Sequence, residues 1–403
     1  DGPALESIEE MGAWINDVAI MPFDPGQMFA AGSGGSVFKS MDGGLSWNRT
    51  SILGSGEKPA HHLFVRSSTE LMVIHDGYLF VSADGGLSWT SKLENCEFLS
   101  PTRDDVTSTI AFCNDYFHVT ADGGQSWQVL DSNVPGTVAS NITAFVATDL
   151  SKWYAGTENE NNGPDGRVYR TTNGGLSWQE VNLPEKPECK IANRGILLHP
   201  SNPNIVFVGL AEPYGNAFAF GTTTLYRSDD GGDTFNPLNP SIVASQLVPL
   251  AVDSTGRLLV GGDTGLHRGS NLGNGPWGQI PPPQDADGIQ FHNVEMALID
   301  PANEFSFVVP AANGVATAKD LGMTWQLSKN GMVAGTWSNI GVTSDGSKLI
   351  CFESDNNKMA FLDNGNWIYS TITEDLPIAS VTDDANGELY ATLVDGGTAQ
   401  FVN

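Results

Sequence analysis

Basic residues are scarce in this chain. Only 19 of its 403 residues are Lys or Arg, against 47 Asp or Glu, which gives a formal net charge of −28. Charged residues reach 16%, below the ~25% of an average domain. Affinity for phosphate backbones rests on Lys and Arg, and no basic run occurs. Nucleic acid is therefore excluded as a partner, and an anionic membrane surface with it. Long apolar runs are missing too. The longest, around Ile205–Ala211, has strand length, far short of the ~18 residues a spanning helix needs, so no membrane insertion is expected. Cysteine is limited to Cys96, Cys113, Cys189 and Cys351, too few for a disulfide scaffold and wrongly spaced for zinc. Cys96 and Cys113 flank a hairpin turn near Pro101–Asp105, so their strands can lie side by side; a disulfide there and free buried thiols both stand open. The chain starts at Asp1 with no Met, which fits a mature secreted chain and equally a trimmed one. The acidity suits a secreted, periplasmic or virion setting, or serves solubility alone.

What the chain does have is a repeat. Ser40–Trp47 reads SMDGGLSW, Ser82–Trp89 SADGGLSW, Thr120–Trp127 TADGGQSW, Thr171–Trp178 TTNGGLSW, Ser228–Phe235 SDDGGDTF and Ala318–Trp325 AKDLGMTW. Decayed copies end at Trp277 and Trp367. The pattern S/T-x-D-x-G-x-S/T-W resembles the Asp-box, or BNR repeat, found in sialidases, xyloglucanases, sortilin-type receptors and photosystem assembly factors. The resemblance runs through nearly the whole chain. It implies an all-β, β-propeller architecture and is silent on activity, because the box serves all of these classes. Its physics is local. The glycine permits a turn with φ > 0, the Asp accepts backbone N–H groups of that turn, and the Trp fills a slot between neighbouring sheets. Asp42, Asp84, Asp122, Asp230 and Asp320 therefore read as structural, and Trp47, Trp89, Trp127, Trp178 and Trp325 are expected to be buried between blades.

Between boxes run four short alternating segments separated by Gly, Pro, Asn and Asp turns, the sign of antiparallel strands. Four such strands per repeat, arranged radially, make a β-propeller. The box aromatics recur every 38 to 57 residues. Blades are expected at about 14–50, 60–92, 96–130, 139–181, 190–239, 245–281, 289–328 and 331–373. A last one, 376–403, would be completed by an outer strand from residues 1–12. The count favours one ring of nine four-stranded blades closed by the N-terminal strand, with eight as the second choice.

In a propeller of this kind the first strand of each blade, strand A, is innermost, and the boxes lie on one face. A binding site is expected on the other face, where strand A starts and the B–C loops meet, since loops on a rigid scaffold carry function. Polar and aromatic residues at those starts are Trp14, Asn16, His61, His62, Asn193, Arg194, His292, Asn293 and Trp337. Tyr214 sits in the long B–C loop of the fifth blade, and the rim they form has the character of a ligand site. A competing reading is that asparagines cap exposed strand ends along a water-filled channel. Glu158, Glu160 and Asp165 in the fourth B–C loop offer hard oxygen ligands for Ca²⁺, or form a solvated acidic loop.

Hydrolysis of a glycan needs two facing carboxyls, ~5–5.5 Å apart for retention or ~6.5–9.5 Å for inversion. Asp17, Glu295, Glu212 and Asp287 are the ones available, and no spacing rule pairs them. The arginine triad that the sialidase resemblance implies finds only Arg194 at a strand A start. The carboxylate that the xyloglucanase resemblance implies in the first B–C turn is absent from Gly32–Ser36, GSGGS. The expectation is a secreted or surface propeller that binds a carbohydrate or a protein partner. The alternatives are a glycoside hydrolase or lyase, and a structural or assembly protein such as a virion component.

Overall fold

The computed structural model describes residues 15–21, 24–54, 60–105, 107–130, 134, 142–158, 166–184, 189–211, 224–238, 240, 242, 244–281, 294, 296–300, 303–311 and 314–328. Beyond residue 328 it describes the backbone of strands Asn339–Val342, Lys348–Glu353, Lys358–Asp363, Asn366–Thr371, Ile378–Asp383, Leu389–Leu393 and Thr398–Gln400. The chain divides into two compact units, one of residues Trp14–Ser328 and one of Asp1–Ala13 with Lys329–Asn403.

The first unit holds seven antiparallel four-stranded sheets, each formed by four consecutive strands in the order A-B-C-D. Their A strands are Ile15–Ile20, Ala60–Val65, Cys96–Pro101, Ile142–Ala147, Lys190–Leu198, Val248–Val252 and Leu298–Asp300. A strands of successive blades pack on one another around the ring, and that of blade 7 packs on that of blade 1. The Ser328 hydroxyl at the end of blade 7 donates to the Leu45 carbonyl of blade 1 at 2.8 Å. The ring is thus a seven-bladed propeller, which corrects the expectation of nine or eight blades closed by the N-terminal strand. The physical reason is that box spacing counts sheets along the chain, whereas closure depends on which sheet meets the first one in space. The second unit contains a four-stranded sheet, Asn339–Thr371, and a three-stranded one, Ile378–Gln400.

Each box works as a hairpin staple. In blade 1 the Ser40 hydroxyl accepts the Gly44 N–H (2.9 Å) and donates to the Asp42 carboxylate (2.8 Å). Asp42 Oδ1 accepts the N–H groups of Leu45 (3.0 Å) and Ser46 (2.9 Å). Gly44 has φ 85°, a left-handed value that a Cβ would strain. The same hydrogen bonds from Ser88 and Ser82 hold the Asp84 carboxyl down to about 2. Hydrogen bonds from Thr234 do the same for Asp230, also at about 2. These carboxylates stay ionised at any ordinary pH and are consumed by their own turns.

The turn aims an aromatic ring into the seam with the preceding blade. Trp89 packs in the cluster of blades 1 and 2, Trp127 in that of 2 and 3, and Trp178 in that of 3 and 4. Phe235 serves blades 4 and 5, Trp277 blades 5 and 6, and Trp325 blades 6 and 7. Trp47 is only 1% exposed. Trp89, Trp127, Trp178 and Trp325 are half-buried, less enclosed than expected because the box lies on the rim, where one ring edge faces solvent. Trp47→Ala is expected to cost about 3–5 kcal/mol, the range for removing a large aromatic from a core. Trp127→Ala should cost less, which urea unfolding of the two variants measures.

Candidate functional site

The register of strand A shifts in its first half between Ile15 and Asp17 in blade 1, His61 and Phe64 in blade 2, Ile142 and Ala144 in blade 4, and Ile191 and Ile196 in blade 5. Such bulges re-aim side chains, here toward the centre of the ring. Two of them force a non-glycine residue into the left-handed region, His62 with φ 53° and Arg194 with φ 55°. Gly195 follows Arg194 because a Cβ there would sit 2.6 Å from the Ala192 carbonyl and 2.8 Å from that of Gly209. Strained backbone of this kind clusters at functional sites.

The bulges deliver their side chains into a central cavity of about 390 Å³. Its lining includes Asp17 of blade 1, His62 and Phe64 of blade 2, Phe98 and Arg103 of blade 3, Phe145 of blade 4, Arg194 and Leu198 of blade 5 and Met296 before blade 7. Arg194 reaches across the ring. Its Nη2 donates to Asp17 Oδ2 at 2.8 Å, and Nη1 lies 3.3 Å from the Met296 sulfur. Asp17 Oδ2 also accepts the Leu63 N–H at 3.1 Å. Asp17 Oδ1 and Asn16 Oδ1 are buried with no hydrogen-bond partner among the described residues. The His62 ring stands edge-on to His61 (centroids 5.0 Å apart) and to Phe98 (5.5 Å). Burial, then the positive charge of Arg194, then His61 push the His62 imidazole well below its ordinary value, so it is neutral at pH 7.

Of the residues singled out from the sequence, the fold brings together Asp17, His62 and Arg194 in the channel, with His61 against the His62 ring and Asn16 at the adjoining bulge. Asn193 sits at the blade 5 bulge and is exposed. Glu158 pairs with the Lys190 ammonium at 2.9 Å. Among the described residues no three His, Cys, Asp or Glu side chains group as metal ligands. Trp14, Glu160, Asp165, Glu212, Tyr214, Asp287, His292, Asn293, Glu295 and Trp337 lie outside the described residues. Sequence reasoning missed Phe98, Arg103, Phe145 and Met296. Phe98 and Phe145 lie on A strands, so blade register alone could have nominated them, whereas Arg103 follows the end of its A strand. Met296 carried no signal, because nothing local links a thioether to a guanidinium 102 positions away.

Cys96 and Cys113, opposed on strands A and B of blade 3, form a disulfide. Cys189 is buried and stands outside the disulfide. No helix among the described residues is long and apolar enough to cross a membrane.

With this geometry in place, comparison with known proteins gives a consistent fold and no single relative. A family model described as Sortilin-Vps10: Sortilin, neurotensin receptor 3, matches residues 115–255, about a third of the chain. No curated protein matches the sequence. An ancestral GH74 enzyme superposes with a TM-score of 0.67 at 18% identity, over 97% of this chain and 62% of that one. This chain therefore spans less than two thirds of that enzyme's length. YCF48 bound to D1 peptide superposes at 0.55 with 16% identity, covering 77% and 94% of the two chains. The extracellular domain of the one component system BT4673 from B. thetaiotaomicron gives 0.53 with 12% identity, over 98% and 51%. At such identities the likeness shows the fold alone. These likenesses agree with a β-propeller built on Asp-box, or BNR-type, repeats.

Two outcomes test the channel pair. Removing one partner of a buried ion pair strands the other charge and costs ~3–5 kcal/mol. Arg194 keeps 30% of its side chain exposed, so Arg194→Met should cost somewhat less, about 2–3 kcal/mol after allowing for solvent screening. The double variant Asp17→Asn/Arg194→Met should recover part of that loss, which a double-mutant cycle by urea unfolding reads. The second outcome is pH dependence. His62 has a folded value below its unfolded 6.5, so its contribution is whole above pH 6.5 and is lost as pH falls below it. His118, His199 and His267 shift in the same direction through burial. The melting temperature should therefore drop on acidification below pH 6.5, and less steeply in His62→Phe.

Proposed function

We propose that this chain is a non-catalytic binding propeller that works outside the reducing cytosol and takes a segment of a protein partner into its central channel. The observation that carries the reading is the Arg194–Asp17 pair, set across the ring by strained bulges over a cavity of about 390 Å³. A largely apolar pocket with a few convergent polar groups is the usual form of a binding site. Leu63, Leu99, Ile196, Leu198 and Met296 supply apolar wall, and Arg103 and Arg194 supply donors. Phe64, Phe98 and Phe145 add aromatic wall, and the mixture suits a peptide with apolar side chains.

Among the described lining residues Asp17 is the one carboxylate, and it is already held by Arg194 and the Leu63 N–H. A glycosidase needs a second. The Cys96–Cys113 disulfide supports an oxidising compartment, as do an extracellular neighbour of the same fold and the strong negative charge. A neighbour captured with a peptide supports the protein-partner reading, and a GH74 neighbour supports carbohydrate as the second. Calcium at the Glu158–Asp165 loop remains part of the proposal, and it would compete with the Lys190 ammonium for Glu158.

The test is a peptide display selection and a glycan array, each run with the wild-type chain and with Arg194→Met. Peptides that bind the wild type and lose at least tenfold affinity in the variant are expected. Binding to glycans alone would replace this reading by the carbohydrate one. Peptide binding unchanged in Arg194→Met would remove the channel as the site.

A further inference from the structure

The seams between blades are not all filled alike. On the box face, the residue that precedes each box on strand C and its partner on strand B together face the next blade's box. In blade 4 these are Arg170 and Tyr154. Tyr154 Oη and Arg170 Nη1 each donate to the Gly231 carbonyl of box 5 at 2.8 Å, and Arg170 Nη2 pairs with Asp233 at 2.6 Å. Lys152 covers the Tyr154 ring. In blade 5 the pair is Arg227 and Phe207, and Arg227 Nη1 donates to the Leu272 carbonyl at the matching point of box 6. Blade 1 places Lys39 and Phe29 there, and blade 6 Arg268 and Leu259.

Three blades place no cation there: blade 2 has Val81 and Met72, blade 3 has Val119 and Ile110, and the third is blade 7. The register puts Thr317 opposite Val308 where blade 4 has Arg170 and Tyr154, and Ser306 where it has Lys152. All three are smaller than their counterparts. A cavity of about 310 Å³ opens at this seam, between blade 7 and blade 1. It is lined by Val308, Thr317 and Ser306 on one side and by Gly43, the counterpart of Gly231, on the other. Asp42 and Asp300 also line it, against one ammonium, that of Lys319.

We propose that this cavity is a docking slot for an arginine side chain of a partner protein. The guanidinium would do at the 7–1 seam what Arg170 does at the 4–5 seam, donating to the Gly43 carbonyl. Complementarity of charge favours a cation: two carboxylates line the slot, and the whole chain carries −28. Arginine fits better than lysine because its planar fork can serve a carbonyl and a carboxylate at once. The slot lies on the box face and does not depend on the channel reading; Arg194→Met should leave it unaltered.

The probe is N-acetyl-arginine amide, titrated into the full chain and followed by NMR or calorimetry, with N-acetyl-citrulline amide as its neutral counterpart. The arginine compound should bind at least tenfold more tightly than the citrulline one. Thr317→Arg, which copies blades 4 and 5, should abolish that binding and raise the melting temperature. Val308→Leu, a milder filling, should weaken binding at least fivefold and keeps the test readable where Thr317→Arg does not fold. No binding by the wild type, equal binding of both amides, or full binding in a folded filled variant would each overturn the proposal.

Discussion

Each blade of this protein depends on a short turn that is satisfied from within. A hydroxyl at the first box position and a carboxylate at the third take up the turn's N–H groups, so the chain can reverse at the rim without help from outside. Once the turn is fixed, the aromatic at its end has one direction to go, into the seam with the preceding sheet. Unpaired backbone donors would be costly at a half-buried rim, and hydroxyl and carboxylate together remove that cost in blades 1, 2, 3 and 5. Blade 4 shows the tolerance of the device. Asn173 replaces the carboxylate and still accepts the Ser177 N–H at 2.9 Å. Blade 6 shows its limit: Asn271 and Leu272 take φ values of 49° and 52°, and the Trp277 indole donates to Gly273 four residues back.

Regularity at the rim leaves the inner ends of the sheets free to vary. The bulges of strand A are where the repeat is broken, and there the chain places residues that a plain repeat would not: Asp17, His62 and Arg194. The cross-ring pair joins blade 1 to blade 5, and the Leu63 N–H ties in blade 2. A carboxylate with 3% of its side chain exposed is tolerable only because both the guanidinium and a backbone N–H reach it. The same pair balances the Asp17 charge inside the channel.

The seams carry the other variation. With so few cations in the chain, the placement of Arg170, Arg227, Arg268 and Lys39 at one repeated position is informative. Arg170 and Arg227 serve as inter-blade clasps, held by carbonyl and carboxylate acceptors of the next blade or their own box. An acidic surface therefore coexists with buried or half-buried guanidinium groups that act structurally. Blade 7, with Thr317 and Val308, lacks such a clasp at the seam where the ring closes.

Much of this was legible in the sequence because the box is local. The side-chain hydrogen bonds of Ser40 and Asp42 span four residues or fewer, so the pattern alone gave the turns, the four-strand programme, the structural role of Asp42 and its counterparts, and the sites of the A strands. Asp17, His62 and Arg194 could be nominated because they stand at strand starts. What the sequence could not determine was anything resting on distant partners. The Arg194–Asp17 bond joins residues 177 apart, and the contact that closes the ring, Ser328 to Leu45, joins residues 283 apart. A repeat specifies how each sheet is built and how it packs on the next. How many sheets complete the circle is set by the packing of inner strands across the whole ring, and only the tertiary structure decided that the seventh meets the first.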